Sequence, residues 1–188
     1  MNRALLQLPQ LRDLAVCGVL DDRRAAALQL PALSASLTAL DFSGLVIRVR
    51  EGGVGTVAVR CTVHAHALSA AVAALLQTAA LPRLQQLDAS LGHLDAVDVD
   101  AIASAAARLP ALSHLVLRAR SPEEWQFCAP HELHLFADCA FGDAGAAVLA
   151  RRLPACAALR RLDVARQRCS AAALAQLQRA LPAVVIEH

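Results

Sequence analysis

The sequence predicts an α/β solenoid, in which short strands form one parallel sheet and helices connect them. Three observations predict it. The dipeptide Leu-Pro recurs along the chain and contains six of its eight prolines. A hydrophobic frame follows it, with apolar residues at positions one, four and six, and the last two alternate as in a short strand. Segments rich in Ala, Leu and Arg, which are good helix formers, lie between the frames. The chain is therefore a series of repeated units.

The clearest unit runs from Leu133 to Val164. It contains a Leu-x-Leu strand, a tight turn at Phe141-Gly142-Asp143, an Ala-rich helix, Leu-Pro and a second strand. Five complete frames can be counted: Leu11, Leu14, Val16; Leu37, Leu40, Phe42; Leu84, Leu87, Ala89; Leu112, Leu115, Leu117; and Leu159, Leu162, Val164. Leu133 and Leu135 supply positions four and six of a further strand. Since proline lacks an N–H and its ring clashes within a helix, we expect each Leu-Pro to end a helix.

The predicted helices cover 22–29, 69–78, 96–108, 144–152 and 171–180. Short polar side chains precede several of them and are expected as N-caps, namely Asp21, Asp95, Asp143 and Ser170. The spacing of Leu174, Leu177 and Leu181 predicts one apolar face on the last helix.

The frames, together with the segment Gly142–Ala150, resemble the leucine-rich repeat family, specifically its longer ribonuclease-inhibitor-like repeats. The resemblance covers most of the chain, with gaps at 45–66 and 118–130. It implies a curved parallel sheet of roughly six to eight strands on the concave side and helices on the convex side. We expect residues 1–188 to form a single domain of this kind. The asparagine usual in the family after each strand is missing, and Leu45, Gly92 and Asp138 stand there instead.

Two segments lack the helix pattern. Residues 45–63 contain two alternating apolar runs around Glu51-Gly52-Gly53-Val54-Gly55, which is compatible with an inserted β-hairpin. The same residues are compatible with a short helix-free repeat from Leu40 to Val57, which we favour slightly because it keeps all strands parallel. Residues 118–130 leave the same two interpretations open.

The termini carry no obvious polar cap, although solenoid ends usually need one. Val184, Val185 and Ile186 would then form an apolar edge. The chain is therefore expected either to be part of a longer protein or to cap itself against a partner, as a homo-oligomer or as a subunit of an assembly. Short irregular ends that suffice by themselves are the alternative.

Composition narrows the classes of function. A net charge of +2 does not indicate a nucleic-acid surface. The sequence contains neither an uncharged apolar run long enough for a membrane span nor a signal peptide pattern. The six cysteines show no paired spacing, so we expect reduced thiols in a cytoplasmic protein.

Candidate chemistry is sparse. Gly52-Gly53-Val54-Gly55 is not a phosphate loop, because no Gly-Lys-Ser/Thr follows. Two groups of metal-ligating residues occur, but neither has four ligands at a familiar zinc spacing; they are Cys61, His64 and His66, and Cys128, His131 and His134 with Cys139 nearby. We therefore predict no catalytic residues, no metal site and no cofactor.

The candidate site follows from strand geometry. If the frame residues point inward, the residues between them point to the concave face. Asp41, Asp88 and Asp163 recur at one frame position and would form an acidic stripe flanked by Arg118 and Arg161, suited to a mixed-charge protein partner. The predicted partner-binding residues are Asp41, Asp88, His114, Arg118, His134, Phe136, Arg161 and Asp163. Merely solvated strand residues are the alternative, and in both cases Asp163 should contribute little to stability.

The sequence thus predicts a non-enzymatic module that binds a protein partner. One alternative rests on the resemblance alone, namely a regulator of another enzyme, of the GTPase-activating or ubiquitin-ligase substrate-recruiting type. The other is a structural subunit of a large assembly, which the apparently uncapped ends favour over a free monomer.

Overall fold

A computed structural model describes residues 12–15, 18–20, 36–42, 45–47, 69–70, 72–74, 76–77, 81–91, 94–119 and 140–188. The strands in these ranges are β1 (Asp13–Ala15), β2 (Gly18–Leu20), β3 (Ala39–Asp41), β4 (Leu45–Ile47), β5 (Gln86–Asp88), β6 (His114–Val116), β7 (Arg161–Asp163) and β8 (Val185–Glu187). The helices are α1 (Ala96–Ala106), α2 (Gly142–Arg152) and α3 (Ala171–Ala180), and a single 3₁₀ turn follows α2 at Leu153–Ala155. The described residues among 69–77 are also helical.

Six of the strands form one parallel sheet in the order β1-β3-β5-β6-β7-β8. Each strand is three residues long, and each pair is aligned so that middle residue faces middle residue. The aligned middle residues are Leu14, Leu40, Leu87, Leu115, Leu162 and Ile186. These are the fourth positions of the predicted frames, with Ile186 added at the end of the sheet.

The apolar core lies on the helix side of this sheet. Leu87 and Leu162 are completely buried, and they belong to the same apolar cluster as Ile102 of α1, Leu149 of α2 and Leu177 of α3. Successive helices pack against one another, α1 on α2 and α2 on α3. A parallel sheet with a leucine at the centre of five of its six strands, four of them buried, and a layer of stacked helices is a leucine-rich repeat solenoid, as predicted.

The Leu-Pro dipeptide marks the turn before the strand. In four of the described repeats the leucine carbonyl accepts a hydrogen bond from the N–H three residues later, over 2.8–3.3 Å; the donors are Leu84, Leu112, Cys156 and Val184. Proline at the second position of such a turn is favourable because its fixed φ matches the turn. The helix α1 already ends at Ala106, before Leu109-Pro110, so in this repeat proline shapes the turn and does not itself stop the helix.

Two of the predicted N-caps are confirmed. The Asp95 carboxylate accepts from the N–H groups of Val97 and Asp98 at 2.8 and 3.0 Å. The Asp98 carboxylate accepts from the Asp95 N–H, which completes a capping box. The Ser170 hydroxyl accepts from the Ala173 N–H at the start of α3. Asp21 lies outside the described residues.

The predicted cap at Asp143 is wrong, because α2 begins at Gly142, two residues earlier than predicted, and Phe141 occupies the N-cap position. Gly142 has a φ of +55°, which a residue with a Cβ adopts only at a cost, so the tight turn predicted here needs this glycine. Phe141 then folds over Gly145, where a Cβ would lie 2.3 Å from the phenyl ring. The Asp143 carboxylate instead accepts from the Ser170 N–H at 2.6 Å and so connects the starts of two successive helices.

The two irregular segments lie mostly outside the described residues. β3 pairs directly with β5, and β6 pairs directly with β7. The predicted repeat at Val57 and the predicted strand at Leu133 and Leu135 are outside the described ranges. β4 pairs in parallel with β2 in a separate two-stranded ladder. The sequence analysis missed this ladder because it predicted no strand at Gly18–Leu20.

We expect the alternation along β5 to appear as a contrast in stability. Leu87→Ala should lower the free energy of unfolding by about 2–5 kcal/mol, because it leaves a cavity in the core. The adjacent Gln86→Ala should change it by less than about 0.5 kcal/mol, because Gln86 is exposed. Urea unfolding followed by circular dichroism measures both, and equal losses would contradict the assignment of inward and outward positions.

Candidate functional site: the open face of the sheet

The face of the six-stranded sheet opposite the helices, here called the open face, carries the first and third residue of every strand. Parallel pairing aligns these residues into two rows across the sheet. The first row is Asp13, Ala39, Gln86, His114, Arg161 and Val185, and the second row is Ala15, Asp41, Asp88, Val116, Asp163 and Glu187. Six of the eight predicted site residues are thereby placed: Asp41, Asp88, His114, Arg161 and Asp163 within the rows and Arg118 just beyond β6. His134 and Phe136 lie outside the described residues.

A depression of about 680 Å³ lies on this face and crosses five neighbouring strands, β1, β3, β5, β6 and β7. Side chains of both rows line it together with the backbone of the central leucines. The lining residues are Asp13, Leu14, Ala15, Ala39, Leu40, Asp41, Gln86, Leu87, Asp88, His114, Val116 and Arg161. Four of the predicted site residues therefore belong to one concave surface.

Asp163 is bound within the protein. Its side chain is only 7% exposed and forms an ion pair with Arg118, whose Nε donates at 2.5 Å. The other carboxylate oxygen accepts from the Ala165 N–H at 3.0 Å. The alternative that Asp163 is merely a solvated strand residue is therefore wrong: it closes the turn after β7 and pairs with Arg118, which lies just beyond β6. These contacts lead us to expect that Asp163 contributes to stability, contrary to the expectation from the sequence.

Arg161 is also paired. Its guanidinium donates to the Glu187 carboxylate on the next strand, with Nε at 3.1 Å and one terminal nitrogen closer. Both side chains remain substantially exposed, so this pair contributes little to stability and its main effect is on local charge. The two arginines that were expected to flank an acidic stripe thus each neutralise an acidic residue at the β7–β8 end of the sheet.

Asp88 occupies the corresponding position at the end of β5. Its carboxylate accepts from the Ser90 N–H at 2.9 Å, and the Ser90 hydroxyl accepts from the Arg118 N–H at 3.0 Å. Burial raises the pKa of Asp88, against the bonds from Ser90 that lower it, and the negative charge of Asp41 adds to the increase. Asp41 and Asp88 are direct partners in the register of β3 and β5, so two like charges lie side by side.

His114 and Asp41 are both half-buried on this face. The Nδ1 of His114 lies 3.1 Å from the Ser113 hydroxyl. The same hydroxyl is 3.1 Å from the Gln85 carbonyl oxygen, to which it donates. In the register of the sheet, His114 lies between Gln86 and Arg161 in the first row.

Sequence reasoning missed Gln167. It occupies the place, three residues after Val164, where the family carries asparagine, and it is 2% exposed. Its amide donates to the Leu117 carbonyl at 2.6 Å and accepts from the Phe141 N–H at 3.0 Å. Gln167 therefore satisfies buried backbone groups of two other segments, and counting the ninth frame position after Leu159 would have found it.

The loop that holds Gln167 is strained on both sides. Arg166 and Arg168 have φ values of +64° and +52°, a region that costs a residue with a side chain about 1–2 kcal/mol. The buried amide bonds of Gln167 stabilise this conformation, since they form only when the loop turns this way.

Two of the six cysteines lie within the described residues. Cys156 is buried and Cys169 half-buried, and neither forms a disulfide. Burial raises the pKa of each thiol to about 11, with a smaller effect of Asp143 at Cys169. Both are therefore poor nucleophiles at neutral pH. Cys17, Cys61, Cys128 and Cys139 lie outside the described residues.

The described ranges contain no group of three His, Cys, Asp or Glu side chains able to hold a metal ion. The two His/Cys groups weighed from the sequence fall outside those ranges. The described part of the chain also has no helix that is long and apolar enough to cross a membrane.

Comparison with known proteins adds little to the geometry. No protein-family model matches the chain, and no curated protein matches it significantly. Among solved structures, a leucine-rich repeat protein of Leptospira interrogans is similar, with 13% sequence identity and a TM-score of 0.42. The similarity covers 98% of this chain and 38% of the other, so this chain spans well under half of that protein's length. The assignment of the fold rests on the strand register and the buried leucines.

Removing the Gln167 amide should destabilise the protein. Gln167→Ala leaves the Leu117 carbonyl and the Phe141 N–H unsatisfied, and we expect a loss of about 2–4 kcal/mol in the free energy of unfolding. Gln176→Ala, at an exposed position of α3, is the matched control and should be neutral within about 0.5 kcal/mol. Denaturant titration measures both, and a neutral Gln167→Ala would show that the bridge between segments is dispensable.

The ion pair between Arg118 and Asp163 should be measurable in a double-mutant cycle of Arg118→Gln and Asp163→Asn. Because Asp163 is buried, we expect a coupling energy of about 1 kcal/mol in thermal or urea unfolding. The same cycle on the exposed pair Arg161 and Glu187 should give about 0.5 kcal/mol or less. A smaller coupling for the buried pair than for the exposed pair would contradict the described geometry.

Proposed function

We propose that this protein is a binding module that holds a protein partner on the open face of its sheet. The observation that carries the proposal is the depression of about 680 Å³, which draws polar side chains from five adjacent strands into one concave surface. Its floor consists of the backbone of strands whose leucines are fixed in the core, so the surface is rigid before a partner arrives. Preorganisation of this kind lowers the cost of binding.

The chemical character of the surface supports binding over catalysis. Its side chains are carboxylates, an amide, an imidazole and a guanidinium from separate strands, and Arg161 is engaged by Glu187. Such a set suits hydrogen bonds and ion pairs to another protein. We propose accordingly that the module is non-enzymatic and cytoplasmic, that it takes no cofactor, and that its repeats are of the ribonuclease-inhibitor-like type.

A steric block tests the position of the binding surface. Gln86→Trp places an indole in the middle of the depression, on an exposed position, and should remove a native partner in affinity capture from cells of the source organism. Val97→Trp is the matched control, because Val97 is 71% exposed on α1, on the helix side. Both variants should keep the wild-type melting temperature within about 2 °C.

If Val97→Trp removes the partner and Gln86→Trp retains it, binding occurs on the helices and the proposal for the open face is wrong. If both variants retain it, the partner binds elsewhere, and the open face has no part in its capture.

A further inference from the structure

On the β5–β8 side of the sheet, the edge at which helices end and strands begin carries charge of one sign. The described segments that form this edge are 81–85, 105–113, 149–160 and 177–184. Every charged residue in these segments is an exposed arginine. We call this set the arginine rim, and its members are Arg83, Arg108, Arg151, Arg152, Arg160 and Arg179.

The segments of the arginine rim are neighbours in space. The Ser113 N–H donates to the Gln85 carbonyl, and the Arg160 N–H donates to the Ser113 carbonyl, both at 2.9 Å. These bonds connect the starts of β5, β6 and β7, and neighbouring strands of a sheet lie about 4.8 Å apart. On the helix side, α1 packs against α2 and α2 against α3. The rim is therefore one continuous surface.

Most of the positive charge of the rim is not neutralised. Arg151 and Arg152 share the single carboxylate of Asp100. In the part of the chain that the structure describes, the other four arginines form no ion pair with Asp or Glu. The helix macrodipole favours arginines in the last turns of α2 and α3, but Arg160 lies beyond the 3₁₀ turn, directly before β7. Stabilisation of helix ends therefore does not account for Arg160.

Arg160 is held in a fixed orientation. One of its terminal nitrogens, Nη1, donates to the Ala157 carbonyl at 3.0 Å and to the Leu159 carbonyl at 2.8 Å. Among the described residues the guanidinium forms no other hydrogen bond, so its Nε–H and Nη2–H groups remain available. These two groups form an edge with which an arginine binds both oxygens of a carboxylate.

Other arginines of the chain show what this edge binds. Arg152 donates from Nε and Nη2 to the two carboxylate oxygens of Asp100, at 2.8 and 2.9 Å. Arg161 presents the same two nitrogens to the carboxylate of Glu187. In Arg160 the backbone carbonyls orient the same edge, but within the described chain it engages no carboxylate. The geometry therefore fits a carboxylate that comes from another molecule.

We propose that the arginine rim is a second binding surface, separate from the open face, and that it binds an acidic segment of a protein. Arg160 receives one carboxylate through its Nε–H and Nη2–H groups, and Arg83, Arg108 and Arg179 attract further acidic side chains. Because Arg160 is already oriented, it loses less conformational entropy on binding and serves as the anchor. The inference does not depend on the proposed function, which concerns the other surface.

The surroundings of these arginines favour a protein over a nucleic acid or a membrane. The rim segments contain no aromatic residue on which the base of a single strand would stack. The large apolar side chains exposed in the described chain, Val97 and Val185, lie outside the rim, so it has no anchor for insertion into a bilayer. The residues between the arginines include four exposed prolines, which offer apolar contacts to a protein: Pro82, Pro110, Pro154 and Pro182.

Fluorescence anisotropy on the full chain at low ionic strength tests the proposal with a labelled peptide of alternating Glu and Ser. We expect this Glu peptide to bind and a peptide of alternating Arg and Ser not to bind. Arg160→Gln should weaken the binding about fivefold. Arg160→Lys should weaken it about threefold, because lysine keeps the charge but lacks the planar edge. A wild-type affinity in Arg160→Lys would show that charge alone binds the peptide and would overturn the role of Arg160 as the anchor.

The matched control is Arg166→Gln, which changes the net charge equally at an exposed position after β7, beyond the opposite end of that strand. This control should change the affinity less than about twofold. Equal weakening by Arg160→Gln and Arg166→Gln would overturn the inference, because the peptide would then respond only to net charge.

A second variant keeps the test informative if the loss of the Arg160 hydrogen bonds impairs folding. Arg108 is exposed and forms no ion pair within the described chain, so Arg108→Gln should keep the wild-type melting temperature within about 2 °C. It should weaken the Glu peptide about threefold. An unchanged affinity in this variant would overturn the assignment of the binding to the arginine rim.

Two further measurements separate this surface from its alternatives. Gln86→Trp, in the depression of the open face, should leave the affinity for the Glu peptide unchanged, and loss of that binding would place the peptide on the open face and overturn the inference. A single-stranded oligouridylate that binds more tightly than the Glu peptide, and weakens in Arg160→Gln, would assign the rim to a nucleic acid and overturn it as well. Both results leave the capture of a native partner by the open face untouched, so the proposed function stands or fails by its own test.

Discussion

Everything on the open face depends on the alignment of one leucine per strand. Leu40, Leu87, Leu115 and Leu162 lie beside each other in the core, each 2% exposed or less. A shift of one residue in any strand would move its leucine to the open face and its polar neighbours into the core, so the register is strongly fixed. Because side chains alternate, burying the middle residue of a three-residue strand leaves the other two on the opposite face. The core therefore determines where the functional side chains stand, although it does not determine which they are.

Polar side chains at and just after the ends of the strands form hydrogen bonds that close turns and connect neighbouring repeats. Asp88 and Asp163 both accept the N–H two residues later, which closes the turn after the strand, and Ser90 and Gln167 extend hydrogen bonds to neighbouring repeats. These bonds satisfy backbone groups that three-residue strands cannot pair by themselves. A side chain that makes such bonds is less available to a partner. Asp163 is the extreme case, because its carboxylate is almost completely buried.

Much of the fold could be predicted because it depends on local patterns. The leucine frames predicted the strands of the six-stranded sheet. Asp95 and Ser170 predicted the starts of two helices, and the alternation along β5 predicted that Gln86 is exposed. The features that could not be predicted depend on contacts between distant residues. Arg118 and Asp163 are 45 residues apart, and whether their strands are neighbours is decided by the path of the chain between them. The same holds for the parallel ladder of β2 and β4 and for the direct pairing of β6 with β7. Gln167 was not predicted, because only asparagine was expected at the ninth frame position. Here glutamine, whose side chain is one methylene longer, makes the hydrogen bonds.

The residues of the core and those of the proposed binding surface occupy different positions within each strand. Along the first row the residue changes from Asp13 through Ala39, Gln86 and His114 to Arg161, while the leucine beside each of them stays the same. Since a side chain on the open face does not contact the apolar cluster, its identity can change with little effect on the core. The side chains of this face can therefore vary in charge from strand to strand. Where a carboxylate also closes a turn, as Asp163 does, the residue cannot be replaced without loss of that hydrogen bond. Its identity is then constrained by the fold as well as by the surface.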